Sequence, residues 1–159
     1  MKIGQGKNKG SAFEREVGYK LSLWLSDGKR KDLLCRTVGS GAQFTCSKGG
    51  HAGDLRAQDP IAYEFCKRYV IECKHWRDLE LIRFLNCQGE LFKAMQKVGK
   101  EALQTDRDWL LIAKQNNYPA VILSNNCPKP SSGYYHLLFD GTVMMMDFGD
   151  FLKLPFPNY

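Results

Sequence analysis

Gly53-Asp54-Leu55 and, further along, Val70-Ile71-Glu72-Cys73-Lys74 carry the residue types and spacing that could do chemistry. In a strand, side chains two apart point the same way, so Glu72 and Lys74 share one face and Ile71 and Cys73 the other. If Asp54 begins a neighbouring strand, two carboxylates and an ammonium converge. Hard cations such as Mg²⁺ take a few carboxylate oxygens and keep several waters. An ion so held can generate hydroxide and neutralise charge on a phosphodiester. Plainer readings stand beside this one: Glu72 as an edge-strand ion pair with Lys74 or Lys67, and Gly-Asp as an ordinary turn. Neighbouring charges inside an apolar strand are expensive unless they have partners. The set of three is therefore more specific than any member.

Other residues gather around that nucleus. Glu14 falls inside the apolar arc of Phe13, Val17, Leu21 and Leu25 at about 100° per residue, where a carboxylate needs a partner or a metal. It also stands three residues after Ser11, as in a capping box. Arg36 ends an apolar run next to Gly39-Ser40-Gly41. Arginine forks a phosphate, and glycines let backbone amides approach one; a surface arginine beside a plain loop is the alternative. Lys48 and His51 could touch a nucleic-acid backbone from a glycine-rich segment. Lys93, Lys97 and Lys100 line the polar side of a helix, either as a solvated face or as a phosphate track. Trp76 and Trp109 suit sheet packing better than base stacking. Cys46 and His51 lack a second pair to complete a zinc site.

The elements that must position these residues follow from periodicity. Residues 1–10 read as a flexible basic arm. A helix is expected over about 12–26, strands at 33–38, 54–57 and 69–74, and a helix near 88–104. Strands at 109–114 and 120–124 come next, then a hairpin of 134–138 and 142–146 around Asp140-Gly141. Gly39 to Gly53 reads as a long functional loop. Met144, Met145 and Met146 in the last hairpin suit core packing, with a dimer surface as the alternative. The order of elements reads as α/β, a central mixed β-sheet flanked by helices.

At 159 residues, 43% apolar and 25% charged, the chain is long enough for one domain with a real core, here 11–159. Its net charge of +6 favours polyanions, nucleic acid above all. No apolar run of about 18 residues is present to span a membrane. The first residues lack an apolar signal core, so a cytoplasmic setting is expected, or the host cytoplasm for a viral protein. The six cysteines are then expected to be reduced.

Four blocks together carry a resemblance. They are Lys9-Gly10-Ser11-Ala12-Phe13-Glu14-Arg15-Glu16, Arg36-Thr37-Val38-Gly39-Ser40-Gly41, Gly53-Asp54-Leu55 and Ile71-Glu72-Cys73-Lys74. In this order they resemble the PD-(D/E)XK nuclease superfamily, and within it the archaeal-type Holliday junction resolvases and their phage relatives. The resemblance covers about residues 9–76. It departs from the pattern in that Asp54 lacks a preceding proline and the connections on either side of Asp54 are longer.

The resemblance implies a restriction-endonuclease-like core and a Mg²⁺-dependent DNA endonuclease, with Mn²⁺ able to substitute. It implies a catalytic set of Glu14, Asp54, Glu72 and Lys74. Asp54, Glu72 and the Cys73 carbonyl would ligate the metal. Lys74 would position water or stabilise charge on phosphorus, and Glu14 would hold a water of the ion's shell or a second ion. Arg15, Arg36 and Ser40 would bind or orient DNA phosphates; Lys48, read from its place in the glycine-rich loop, would join them. The substrate would be branched DNA in recombination, cut on two strands by a homodimer. A restriction-type, repair or structure-nonspecific nuclease of the same fold, or a non-catalytic DNA-binding protein, are the other readings.

Overall fold

The structure is a computed structural model that describes residues 5–37, 52–128 and 135–155. It opens with helix α1, Gln5–Leu25. The helix begins well before the expected residue 12, so residues 5–10, read as an arm, are helical. Ser11 consequently lies inside the helix and does not cap it. Its preference for an N-cap is a local one, and Gln5, Lys7 and Lys9 are good enough helix formers to carry the helix past it. The stripe of Phe13, Val17, Leu21 and Leu25 is buried, as its spacing requires.

Ser22 ties α1 to the first strand. Its buried hydroxyl donates to the Gly18 carbonyl at 2.7 Å and accepts from the Leu33 and Leu34 amides, both at 3.1 Å. That anchors β1, Leu34–Arg36, which pairs antiparallel with β2, Leu55–Ala57. These two strands form a ribbon of their own rather than part of the main sheet. Asp59, expected only to mark a turn with Pro60, caps a short 3₁₀ turn at Pro60–Ala62 by accepting from the Ile61 amide. Helix α2, Tyr63–Arg68, comes directly after it.

The main sheet begins with β3, Tyr69–Trp76. After α3, Leu81–Leu85, and α4, Gly89–Gln104, come β4, Asp108–Gln115, and β5, Ala120–Ser124. Strands β6, Tyr135–Leu138, and β7, Val143–Asp147, and helix α5, Phe148–Phe151, complete the described chain. The strand order is β3-β4-β5-β7-β6. Only β3 and β4 run parallel, because a helical crossover joins them; the other neighbours are antiparallel. This mixed sheet flanked by helices is the expected architecture.

Helices pack on both faces. Ile71 and Cys73 of β3 meet α1, α2 and α5 through Phe13, Val17, Phe65, Phe148 and Phe151. Val70, Leu111 and Ala113 meet α3 and α4 through Phe84, Leu91, Ala94, Val98 and Ala102. Met144 and Met146 are buried in the first of these layers and Met145 packs against the second, so the methionines are core residues. Among the described residues, no helix is long and apolar enough to cross a membrane.

Strand β3 is an outer strand of its sheet, and the chain around Gly53 closes on its free edge. The Asp54 amide donates to the Ile71 carbonyl at 2.7 Å, and the Asp54 carbonyl accepts from the Thr37 amide at 2.9 Å. Gly53 sits at φ +87°, and a Cβ there would lie 2.6 Å from the Ile71 carbonyl oxygen and 2.9 Å from its nitrogen. Both obstacles are backbone and cannot move aside. Gly53→Ala is expected to destabilise the fold by about 2–4 kcal/mol, left-handed strain and overpacking combined. Urea unfolding measures this; a change below about 0.5 kcal/mol would mean that the close approach of Gly53 to β3 is not needed.

Candidate active site

The alternation of β3 sends Glu72 and Lys74 toward the α4 side and turns Ile71 and Cys73 toward α1. Asp54 reaches the same point from the free edge of the strand. Its backbone amide bonds Ile71, and its carboxylate Oδ2 accepts from the Cys73 amide at 2.8 Å. Asp54 thus uses two groups to complete an edge that would otherwise hold unpaired backbone, and this brings its carboxylate to Glu72. Both acids are almost fully buried, at 3% and 1% exposed.

One ammonium joins them. Lys74 Nζ lies 2.5 Å from Glu72 Oε1 and 3.5 Å from Asp54 Oδ2, and donates to the Cys73 carbonyl at 3.2 Å. A cation here therefore has three oxygens within reach: one from Asp54, one from Glu72 and one from the backbone of Cys73. These are the three donors expected to ligate a metal. A hard divalent ion fits such a set, because it accepts carboxylate and carbonyl oxygens and completes its shell with water. Among the described residues no group of three His, Cys, Asp or Glu side chains could hold a metal ion; the oxygens that meet here are those of two carboxylates and one backbone carbonyl.

Electrostatics follow from burial. Loss of water is the largest influence on Asp54, and the Glu72 charge adds to it. Lys74 and the Cys73 amide act in the other direction and are outweighed, so the Asp54 carboxyl is pushed up to about 6. For Lys74, burial alone would lower the pKa, but Glu72 and then Asp54 outweigh it and raise it. The ammonium stays charged. Cys73 is raised well above the ordinary thiol range by burial and by the nearby carboxylates; its thiol is a core group, and only its backbone faces the site.

Glu14 stands on the α1 side of β3 and is paired with Arg36. The Arg36 guanidinium at the end of β1 donates from Nε to Glu14 Oε2. Glu14 is also close enough to raise the Asp54 pKa. So the structure groups Asp54, Glu72 and Lys74 in direct contact and sets the Glu14–Arg36 pair beside them. Arg36, Arg15 and Lys31 line a cavity of about 320 Å³ between α1 and the β1–β2 ribbon. Ser40 and Lys48, together with Cys46 and His51, lie outside the described residues. His75 packs its ring against Phe13, with centroids 5.4 Å apart, and stands apart from the carboxylates.

Lys97 of α4 is a site residue that sequence reasoning places only within a lysine track. Its Nζ lies 3.2 Å from Glu72 Oε1 and 3.5 Å from Glu101 Oε1. A signal for it does exist in the sequence. Lys97 flanks the buried positions Ala94 and Val98 and stands four residues before Glu101, so it leans over the sheet from the edge of the helix face. Lys93 pairs with Glu90 instead.

Residues 5–136 match the family described as phage putative PDDEXK endonuclease. No curated protein matches the chain, and no solved structure does.

The raised pKa of Asp54 has a consequence for stability. Such an acid binds its proton more tightly in the folded state, so its contribution to stability falls as pH rises between about 4 and 6. The loss is about 2–3 kcal/mol, at about 1.4 kcal/mol for each tenfold gain in proton affinity. Asp54→Asn should remove it. In metal-free buffer, the gap between variant and wild type is expected to widen in favour of the variant from pH 4 to pH 6.5. Urea midpoints across that range check this; a gap that stays constant or narrows would mean that Lys74 fully compensates the buried charge.

Proposed function

Because the chain belongs to the family of phage PD-(D/E)XK endonucleases, we propose that it is a Mg²⁺-dependent enzyme that cuts branched DNA, with Mn²⁺ able to replace Mg²⁺. The observation that carries the metal assignment is the single point at which a cation, here the Lys74 ammonium, meets oxygens of Asp54, Glu72 and Cys73. An ion held by those oxygens would supply charge neutralisation at a phosphodiester and would acidify water. The chain's own groups do the rest.

Lys74 is the group that holds the attacking water or stabilises charge growing on phosphorus. Its two carboxylate neighbours keep it protonated for that work. The water oxygen bonds to phosphorus in line with the bond to the 3′ oxygen, which breaks. The products are a 5′-phosphate and a 3′-hydroxyl that has taken up a proton. Arg36 keeps part of its surface open beyond its pair with Glu14. With Arg15 it would orient phosphates entering beside α1, since guanidinium forks phosphate oxygens. Glu14 sets the position of Arg36 and would hold a water or a second ion.

The choice of branched DNA rests on the four sequence blocks shared with junction resolvases and on a basic chain suited to a polyanion. Two symmetric cuts on a four-way junction call for two active sites related by a two-fold axis, hence a homodimer. The host cytoplasm is the setting that suits such an enzyme from a phage.

Two outcomes test this reading. Glu72→Ala and Asp54→Asn are each expected to lower the cutting rate by about a thousandfold or more, the scale of several kcal/mol of transition-state stabilisation. DNA affinity in filter binding should stay within a few-fold. Cutting that survives both substitutions would remove the assigned site. Cleavage of a labelled four-way junction and of its linear arms, with Mg²⁺ and with EDTA, tests the substrate. Paired nicks on the junction alone, lost in EDTA, are expected. Equal cutting of the arms would retire the junction and keep a duplex nuclease, and no cutting with either metal would leave a DNA-binding protein.

A further inference from the structure

Two lysines converge on one oxygen of Glu72, and they are not equivalent. Lys74 Nζ lies 2.5 Å from Glu72 Oε1 and is 28% exposed, and it has Asp54 and the Cys73 carbonyl as further partners. Lys97 Nζ lies 3.2 Å from the same oxygen, but its side chain is 57% exposed and comes from α4, which packs on the face of the sheet to which Glu72 and Lys74 point. Lys97 has a second anchor in Glu101, 3.5 Å away on its own helix. One ammonium is embedded and the other is free to leave.

We infer that Lys97 is the exchangeable cation of the site: it neutralises Glu72 while the metal position is empty, and once a divalent ion takes Glu72 it turns outward to bind a phosphate of the DNA. The inference rests on the metal assignment made above to Asp54 and Glu72.

The physical case has three parts. A buried carboxylate that loses its counter-charge is costly, so Glu72 needs more than a share of Lys74 when no metal is present. A divalent ion at the point where Lys74 meets the three oxygens would push the Lys74 ammonium aside and put two positive charges beside Lys97, which shares Glu72 Oε1. Lys97 is the one that can go, since a half-exposed ammonium on a four-carbon stem is easily rehydrated and Glu101 receives it one helical turn on. Released, it lies beside the reaction centre, with Lys100 one turn along the polar side of α4. A positive charge there meets the phosphodiester backbone.

The roles are linked. If metal binding frees Lys97 for DNA, then Lys97 opposes the metal and favours DNA only after the metal is bound. Lys97→Met and Lys97→Gln separate these effects, and the exposed position should let both variants fold. Ca²⁺ affinity, measured by calorimetry without DNA, should rise about two- to fivefold in both variants, as loss of a partly exposed competing ion pair predicts. DNA binding is read next, as the dependence of affinity on salt. With Ca²⁺, the slope for a four-way junction should be shallower by about 0.9 in the variants, the value for one phosphate that is no longer neutralised. In EDTA, variant and wild type should share one slope.

Unchanged or weaker Ca²⁺ binding in the variants would overturn the inference. So would an equal loss of slope with and without Ca²⁺, which would make Lys97 an ordinary phosphate ligand. A wild-type protein that binds neither Ca²⁺ nor Mn²⁺ would instead overturn the metal assignment itself, and this inference with it.

Discussion

Two carboxylates buried within reach of one ammonium are the constraint on which the rest of this structure depends. Asp54 and Glu72 repel each other, and both have lost their water. Lys74 offsets part of that penalty and leaves Asp54 with a pKa of about 6. No fold keeps such a group by accident of packing; it needs backbone that holds the acids together. Here that backbone is the free edge of β3. The Ile71 carbonyl and the Cys73 amide would be unpaired there, and Asp54 fills both, one with its amide and one with its carboxylate. Completing the edge and gathering the charges are the same set of bonds.

The site is also the meeting point of layers that have separate hydrophobic reasons to form. Helix α1 docks on one face of the sheet through Phe13 and Val17 and so brings Glu14. The β1–β2 ribbon is held to α1 by Ser22 and brings Arg36 and Asp54. Helix α4 docks on the other face through Leu91, Ala94 and Val98 and so brings Lys97. Each element also docks through apolar contacts that do not depend on the charges it delivers. Apolar burial on two faces thus offsets the desolvation of the acids, a usual arrangement where function opposes stability.

This explains which parts are legible in the sequence. The strand of β3, the long helix α4 and the hairpin of β6 and β7 follow from periodicity, because their apolar faces are continuous. Glu72 and Lys74 stand out because charges interrupt an apolar run. The start of α1 is not legible, since Ser11 has a strong local preference for a cap that the helix around it overrides. Helix α2 is hidden because Asp59-Pro60 reads equally as a turn or as a helix entry, and six residues show no periodicity. Lys97 looks like one of several lysines. Its place at the border of the apolar face of α4 can be read locally, but the contact with Glu72 depends on how α4 crosses β3. Ribbon β1–β2 cannot be told from part of the main sheet, because strands of three residues carry no register signal.

Charge counting connects these observations to the chemistry. Asp54, Glu72 and Glu101 meet Lys74 and Lys97 within salt-bridge distance, three acidic groups against two basic ones. The lysines offset most of the acids' charge, which helps two buried acids persist in a folded chain. A divalent ion bound there, as proposed, would turn that small negative excess positive. A phosphodiester is the partner that offsets it, and each phosphate brings one negative charge. On the proposed metal assignment, the metal-free protein has little electrostatic reason to place DNA at its carboxylates, and a loaded one would have more. Lys74 is hemmed in beside the carboxylates, and the more exposed Lys97 has room to follow the charge. On that proposal, loading of the metal before the scissile phosphate would follow from the charge balance alone.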